Sequence, residues 1–165
     1  MNIRKAKEND IPKMEKIIKI AKEMMASQGN TVQWQGNYPS KKDFLEDMEK
    51  ESSYVVEEKG EVVGMFALII GEEKTYRKIY EGNWRWEEEY GTIHRIASNG
   101  KVKSFGKICF DFAKKQIPYL RIDTHEKNTS MRKAVEKYGF KECGIIYVEN
   151  GSPRIAYDYK GNGNE

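Results

Sequence analysis

The chain is poor in cysteine, histidine and net charge, and it has no long apolar run. Its two cysteines, Cys109 and Cys143, lie far apart among 165 residues. They fit no zinc spacing. Both sit in apolar-periodic settings and read as small core residues of a reducing compartment. Lysine and arginine number 29 against 26 acids, and the resulting net charge of +3 is too weak to imply a nucleic-acid binder. Lysines and glutamates are interleaved, as on a solvated surface. No uninterrupted apolar stretch approaches a membrane span, and the opening MNIRKAKENDIPKME has no apolar signal core. The expectation is a cytoplasmic protein that binds neither membrane nor nucleic acid. Repeats and low-complexity linkers are missing too. Hydrophobic residues at 38% and charged ones at 33% describe a soluble globular chain. Its length suits a single domain over 1–160, and the polar, glycine-rich 161–165 is expected to fray.

The punctuation that is present organises the rest. NIRKA suits a short strand. In NDIPKMEKIIKIAKEMM, Ile11, Met14, Ile17, Ile18, Ala21 and Met25 recur at helical spacing, with Asn9 or Asp10 as cap and Pro12 in the first turn. GNTVQWQGNYP breaks the pattern as an aromatic, amide-rich loop. Ser40 caps a second helix in KKDFLEDMEKE. SYVVEEKGEVVGMFALII is a hairpin turning at Lys59-Gly60, and GEEKTYRKIYEGNWRWEEE reads mostly as loop. YGTIHRIAS is a strand. A helix from about Ser104 to Gln116 is expected to bury Phe105, Ile108, Cys109 and Phe112, with Pro118 ending it. YLRIDTH is a strand. EKNTSMRKAVEKYGF is a helix capped near Asn128 or Thr129, with Met131, Ala134, Val135 and Tyr138 on its apolar face and Gly139 as its stop. FKECGIIYVEN and RIAYDYK close a final hairpin. The order β-α-α-β-β-β-α-β-α-β-β predicts an α/β (α+β) fold: one mixed, mostly antiparallel sheet of about seven strands with helices on both faces.

SNGKVKSFGK joins a strand to a helix through glycines and lysines without an acid. A helix start offers unpaired N–H groups and partial positive charge, which suit a phosphate. Gly106 allows close approach, and Lys101, Lys103 and Lys107 add attraction. A plain turn with solvated lysines accounts for the same residues. The loop has neither the Walker ending nor a Gly-x-Gly-x-x-Gly fingerprint.

These residues, in this order, resemble the GNAT-type N-acetyltransferases, in a bacterial branch of unassigned substrate. That family's pyrophosphate loop runs Arg/Gln-x-x-Gly-x-Gly/Ala between a strand and a helix. KVKSFG, Lys101 to Gly106, occupies that place, with lysine for the first Arg/Gln and Ser104 for the first glycine. Asn128 and the YGF at 138–140 match the family's Asn-led helix ending in Gly-Phe. The resemblance implies acetyl-CoA as cosubstrate, with its pantetheine held by the backbone of Ile96, Ala97 and Ser98. It places the pyrophosphate on Lys101, Val102, Lys103, Ser104, Phe105, Gly106 and Lys107. Asn128, Ser130 and Lys133 would flank the cofactor's other side. It also implies direct attack of an amine on the thioester.

Family enzymes often donate a proton from a tyrosine in the last helix, and that place falls on Val135. Tyr138, three residues on, is a replacement acid or packed core. His125 ends a strand and is a candidate base or relay, or a structural histidine. His94 reads more readily as structural. Asp123 alternates with His125 and could orient a charged group, or pair with Arg121 or Arg95. A His94/Asp123/His125 metal site lacks a further ligand, so no metal is expected. Trp34, Gln35 and Tyr38 are expected to border the acceptor, with Trp84 and Trp86 closing the pocket. The acceptor would be a primary amine of a small molecule or peptide, and a homodimer is left open. A noncatalytic acyl-CoA-binding module on the same fold and a protein-interaction domain without cofactor are the competing readings.

Overall fold

A computed structural model describes residues 1–161 of the chain. The strands are β1 (Asn2–Lys5), β2 (Ser53–Glu58), β3 (Glu61–Ile70), β4 (Gly91–Ser98), β5 (Tyr119–Thr124), β6 (Lys141–Tyr147) and β7 (Pro153–Lys160). The helices are α1 (Ile11–Ser27), α2 (Lys41–Glu49), α3 (Phe105–Gln116) and α4 (Thr129–Tyr138). The strands form one open mixed sheet in the order β1-β2-β3-β4-β5-β7-β6. β4 and β5 run parallel, whereas β1–β2, β2–β3, β5–β7 and β6–β7 are antiparallel. This is the expected fold. Of the tail expected to fray, 162–165 lie outside the described residues, and the Gly161 N–H donates to the Pro118 carbonyl at 2.9 Å.

The local chemistry explains the boundaries. Ser40 receives the side chain of Asp43 on its own N–H at 2.8 Å, which fixes the start of α2. Lys59 and Gly60 both take positive φ, as a two-residue hairpin turn requires. Asn128 accepts the Met131 N–H on its side chain, and Gly139 leaves α4 at φ 114°. Asp10 behaves differently from the expected cap. Its carboxylate takes the Lys7 N–H and both Nη atoms of Arg4, so it fastens β1 to the turn before α1 rather than capping α1. Arg4 holds it below the ordinary carboxylate range.

The chain divides into two compact units, Met1–Leu68 with His94–Phe105 and Ile69–Ile93 with Gly106–Glu165. In the first, Ile11, Met14, Ile17, Ile18 and Ala21 of α1 and Phe44 of α2 pack with Val55, Val62, Met65 and Ala97. The second unit has two apolar layers. One joins Phe110 and Tyr138 to Phe140 and Tyr159 by ring contacts at 5.0–5.9 Å. In α3, Phe110 and Ala113 are fully buried beside Cys109, whereas Ile108 and Phe112 are half-buried, which shifts the expected apolar face by one to two positions.

The other layer is the segment 72–90, whose residues up to 89 read from sequence as mostly loop and whose Tyr90 reads as the start of the following strand. It is irregular apart from one 3₁₀ turn, Lys74–Tyr76. Even so, it contributes Tyr76, Trp84 and Tyr90 to a core with Tyr119, Cys143, Ile146 and Ala156. Both thiols are buried, and burial pushes them up, Cys143 to about 12 with further help from Asp158. They are protonated packing groups at neutral pH, as read from sequence.

Candidate active site

β4 is extended except at Arg95, whose φ of 54° lies in the left-handed region. A bulky residue there carries a strain of about 1–3 kcal/mol that its surroundings must offset. Arg95 Nε and Nη2 donate to the two oxygens of Asp47 in α2 at 2.8 and 2.5 Å, and Nη1 donates to the Tyr38 hydroxyl at 2.7 Å. Burial alone would lower the guanidinium's pKa, but Asp47 and Tyr38 raise it above its ordinary value. The left-handed residue lies inside the strand, just before the backbone of Ile96, Ala97 and Ser98. Ala97 is buried under α1, and its neighbours are half-buried.

The connection after β4 is ordered by its own side chains. Ser98 Oγ accepts the Gly100 N–H at 3.3 Å and Asn99 Oδ1 accepts the Lys101 N–H at 3.0 Å. Gly100 takes φ 80° and Ser104 takes φ 56°. Phe105 opens α3, its ring buried over Gly64, where an added Cβ would lie 2.2 Å from the ring. Phe105 is thus available to a ligand only through its backbone. The lysines differ from one another. Lys101 pairs with Glu61 and Lys107 with Asp111, both at 2.8 Å. Among the described residues, Lys103 has no ion-pair partner, and it is exposed. Val102 is half-buried.

Gly106 also faces α4. A Cβ there would meet Ala134 of α4 at 3.4 Å and Phe110 at 3.5 Å, so the position has room for one methyl group. Alanine fits in ordinary contact and suits a helix better than glycine. Gly106→Ala is expected to leave stability unchanged or raise it by up to about 1 kcal/mol. Gly106→Val should overpack the contact and cost about 1–3 kcal/mol. Urea unfolding of both variants tests this, and a valine variant as stable as the parent would contradict it.

β4 pairs with β5 at Gly91↔Leu120 and Thr92↔Arg121. From there β5 continues to Asp123 and Thr124, paired with β7 on its other side. Asp123 does not pair with Arg121 or Arg95, the partners weighed from sequence. Its Oδ2 accepts the Tyr76 hydroxyl at 2.6 Å. Arg121 lies instead among the rings of Trp84, Tyr90 and Tyr119 at 4.0–5.1 Å, donating to the Tyr119 hydroxyl and the Trp86 carbonyl.

His125 is buried just past β5. Burial lowers its pKa below the ordinary 6.5, and the charge of Arg154 lowers it further, so the ring is neutral at pH 7. Its Nδ1 accepts the Lys127 N–H at 3.1 Å, which puts the proton on Nε2. The lone pair that a base would use is therefore already engaged. Asn128 is buried at the α4 start, with Ser130 and Lys133 exposed nearby. Val135 is fully buried. Tyr138 donates its hydroxyl to Asp111 at 2.7 Å and packs among three rings, which supports the packing reading of this residue.

No protein-family model and no curated protein matches the sequence. Solved structures do. A GNAT-family acetyltransferase from Streptococcus agalactiae is 30% identical, over 98% of this chain and 95% of that one, with a TM-score of 0.89. The chain belongs to the GNAT family of acetyltransferases. A proposed acetyltransferase from Staphylococcus aureus shares the fold at 22% identity and TM-score 0.72, over 97% of this chain and 99% of that one. So does YncA, a proposed acetyltransferase from Salmonella typhimurium described with its cofactor acetyl-CoA, at 13% identity and TM-score 0.61, over 97% and 93%.

Within the GNAT chain, Ser104 takes the left-handed backbone that glycine favours. The acceptor-side expectations fare unevenly. Trp34 is half-buried against the α1 core, Gln35 is exposed, and Tyr38 is 42% exposed with its hydroxyl on Arg95. Trp84 is corrected from pocket wall to core: it is buried, and its Nε1 donates to the Tyr76 carbonyl at 3.0 Å. Trp86 is half-buried, with Arg85 and Lys160 over its ring. The sequence reading missed the Arg95–Asp47 pair and the Tyr76–Asp123 bond. Only the isolated polar residues in apolar strand and helix settings hinted at either.

Proposed function

We propose that this GNAT protein is an acetyl-CoA-dependent N-acetyltransferase acting on a primary amine of a small molecule or peptide. The observation that carries the reading is the β4–α3 connection. It is ordered by Ser98 and Asn99, takes left-handed backbone at Gly100 and Ser104, and opens a helix whose leading N–H groups lack intrahelical partners. These features fit a pyrophosphate held by backbone groups. The residues assigned to it are Lys101, Val102, Lys103, Ser104, Phe105, Gly106 and Lys107, with Ile96, Ala97 and Ser98 assigned to the thioester arm. Asn128, Ser130 and Lys133 are assigned as a second set at the α4 start.

The cosubstrate would supply a thioester carbonyl. The acceptor nitrogen attacks that carbon, the C–N bond forms, the C–S bond breaks, and the nitrogen's proton passes to the departing thiolate. The chain's contribution is to bind and orient the reactants. Val135 has no proton to give, and the Tyr138 hydroxyl is committed to Asp111. His125 carries a proton on Nε2 and is kept as the candidate relay.

Thiol release from acetyl-CoA with a panel of amines, beside calorimetry with CoA, tests the reading. Binding and amine-dependent thiol release are expected. Binding without release under any amine would favour the noncatalytic acyl-CoA-binding module instead. Lys103→Ala should weaken CoA about two- to fivefold at low salt, and less at high salt. Lys101, already paired, should matter less.

A further inference from the structure

We propose that Asp123 is the acceptor-recognition residue of this protein, taking a cationic amine on Oδ1, with Tyr76 as the residue that positions its carboxylate. The inference rests on the acetyl-transfer reading for its place in a reaction, but the binding it asserts can be tested without it.

Asp123 lies on β5, two residues beyond Arg121, the last residue of β5 with a pairing partner on β4. In open sheets, ligands bind where parallel strands end and their connections diverge. Its carboxylate is half-buried. Oδ2 is fixed by the Tyr76 hydroxyl at 2.6 Å, and among the described residues Oδ1 has no hydrogen-bond partner. A carboxylate in this state has one oxygen oriented and one ready to accept. Charge-assisted hydrogen bonds from an ammonium are the strong complement to it.

Tyr76 is suited to the positioning task. Its ring is 1% exposed and is clamped by Trp84 and Tyr90 at 5.0 and 6.2 Å. Burial, then the Asp123 charge and hydrogen bond, then Glu73, push its hydroxyl well above the usual range, so it remains a donor. The same strand face carries a cation, Arg121, but that guanidinium donates to Tyr119 and Trp86 rather than to Asp123. Among the described residues, no cation is ion-paired with Asp123, and Glu73 adds a second negative charge near Tyr76. An anionic acceptor is repelled by such a site, and a neutral donor gains a weaker hydrogen bond than an ammonium does.

The test is calorimetric titration of the full chain with 1,4-diaminobutane, with 1,4-butanediol as the uncharged counterpart. The parent is expected to bind the diamine and not the diol. Asp123→Asn, which keeps the shape, should weaken diamine binding by about tenfold or more. Tyr76→Phe, which keeps the ring and the charge, should weaken it less. Each variant is compared with the parent in melting temperature, so that loss of folding is separated from loss of binding. Absence of diamine binding by the parent, or unchanged binding in Asp123→Asn, overturns the proposal. A kinetic arm addresses its link to catalysis. Where the diamine supports thiol release, Asp123→Asn should raise the amine KM about tenfold while leaving the acetyl-CoA KM within about twofold. Equal changes in both constants would overturn a recognition role. Diamine binding that depends on Asp123 without any CoA binding would support the site and sink the acetyl-transfer reading.

Discussion

Asp158→Ala is expected to destabilise the protein by about 3–5 kcal/mol, the cost of removing one member of a buried charged network. Asp158 is fully buried on β7. Its Oδ1 accepts Arg85 Nε at 2.6 Å, and its Oδ2 accepts the Arg85 N–H at 3.0 Å and the Tyr119 hydroxyl at 2.8 Å. Arg85 Nη2 also donates to the Asp158 carbonyl, at 2.9 Å. Alanine would remove the acceptor of Arg85 Nε and of the Arg85 N–H, and it would leave the Tyr119 hydroxyl, inside the core, only the Trp86 carbonyl at 3.2 Å. Tyr119 in turn accepts Arg121 Nε at 3.1 Å, so the damage extends along β5. For a chain of this size the loss corresponds to a fall in Tm of roughly 6–20 °C. Asp158→Asn, which retains one accepting oxygen, should fall between. A Tm for the alanine variant within a degree or two of the parent would show that the network contributes little.

The second large effect is expected at Gly82, where alanine should detach the segment 72–90 from β6. A Cβ at this position would lie 1.9 Å from the Cys143 carbonyl oxygen, a backbone atom that cannot turn aside. The ladder between β6 and β7 explains the crowding. Glu142 pairs with Tyr157 and Gly144 with Ala156, so Cys143 is the extra residue of a bulge. The bulge directs its carbonyl toward Gly82. Next to it, Tyr80 and Ile145 exchange N–H···O bonds at 2.8 Å in both directions. Gly144 approaches just as closely from the β6 side, where a Cβ would lie 2.5 Å from the Tyr80 carbonyl oxygen. Gly82→Ala must break this stitch or move the bulge, at a cost of about 3 kcal/mol or more. Hydrogen exchange of the Tyr80 and Ile145 amides measures it directly. Retained protection at both would show that the segment can shift without separating.

The regular elements were legible because each declares itself within a short window. α1 shows its apolar face at helical spacing, α4 carries its cap and its Gly139 stop, and Lys59-Gly60 marks a hairpin. The family resemblance was carried in the same way, by Lys101 to Gly106 and by Asn128 with Gly139 and Phe140. What stayed hidden depends on partners distant in the chain. Nothing about Arg95 in a strand predicts a left-handed backbone, since that conformation is held by Asp47 and Tyr38. The segment 72–90 has no period to read, because its aromatic residues are fixed by Tyr119, Arg121 and Asp158 on other strands. At Gly106 the sequence does not reveal that a side chain would grow toward Ala134 and Phe110. A glycine's missing side chain is informative only once the direction in which it would grow is known.

The placement of the tryptophans gives the protein a built-in optical label. Trp34 packs against the α1 core of one unit, whereas Trp84 and Trp86 belong to the aromatic layer of the other. With Trp34→Phe, the remaining indole emission comes from the layer alone. With Trp84 and Trp86 both replaced by Phe, it comes from the α1 side alone. Melts followed by fluorescence in the two variants, each referenced to its own circular dichroism, therefore read the cooperativity of the chain. A shared midpoint identifies one cooperative system, and separate midpoints identify two that can loosen in turn.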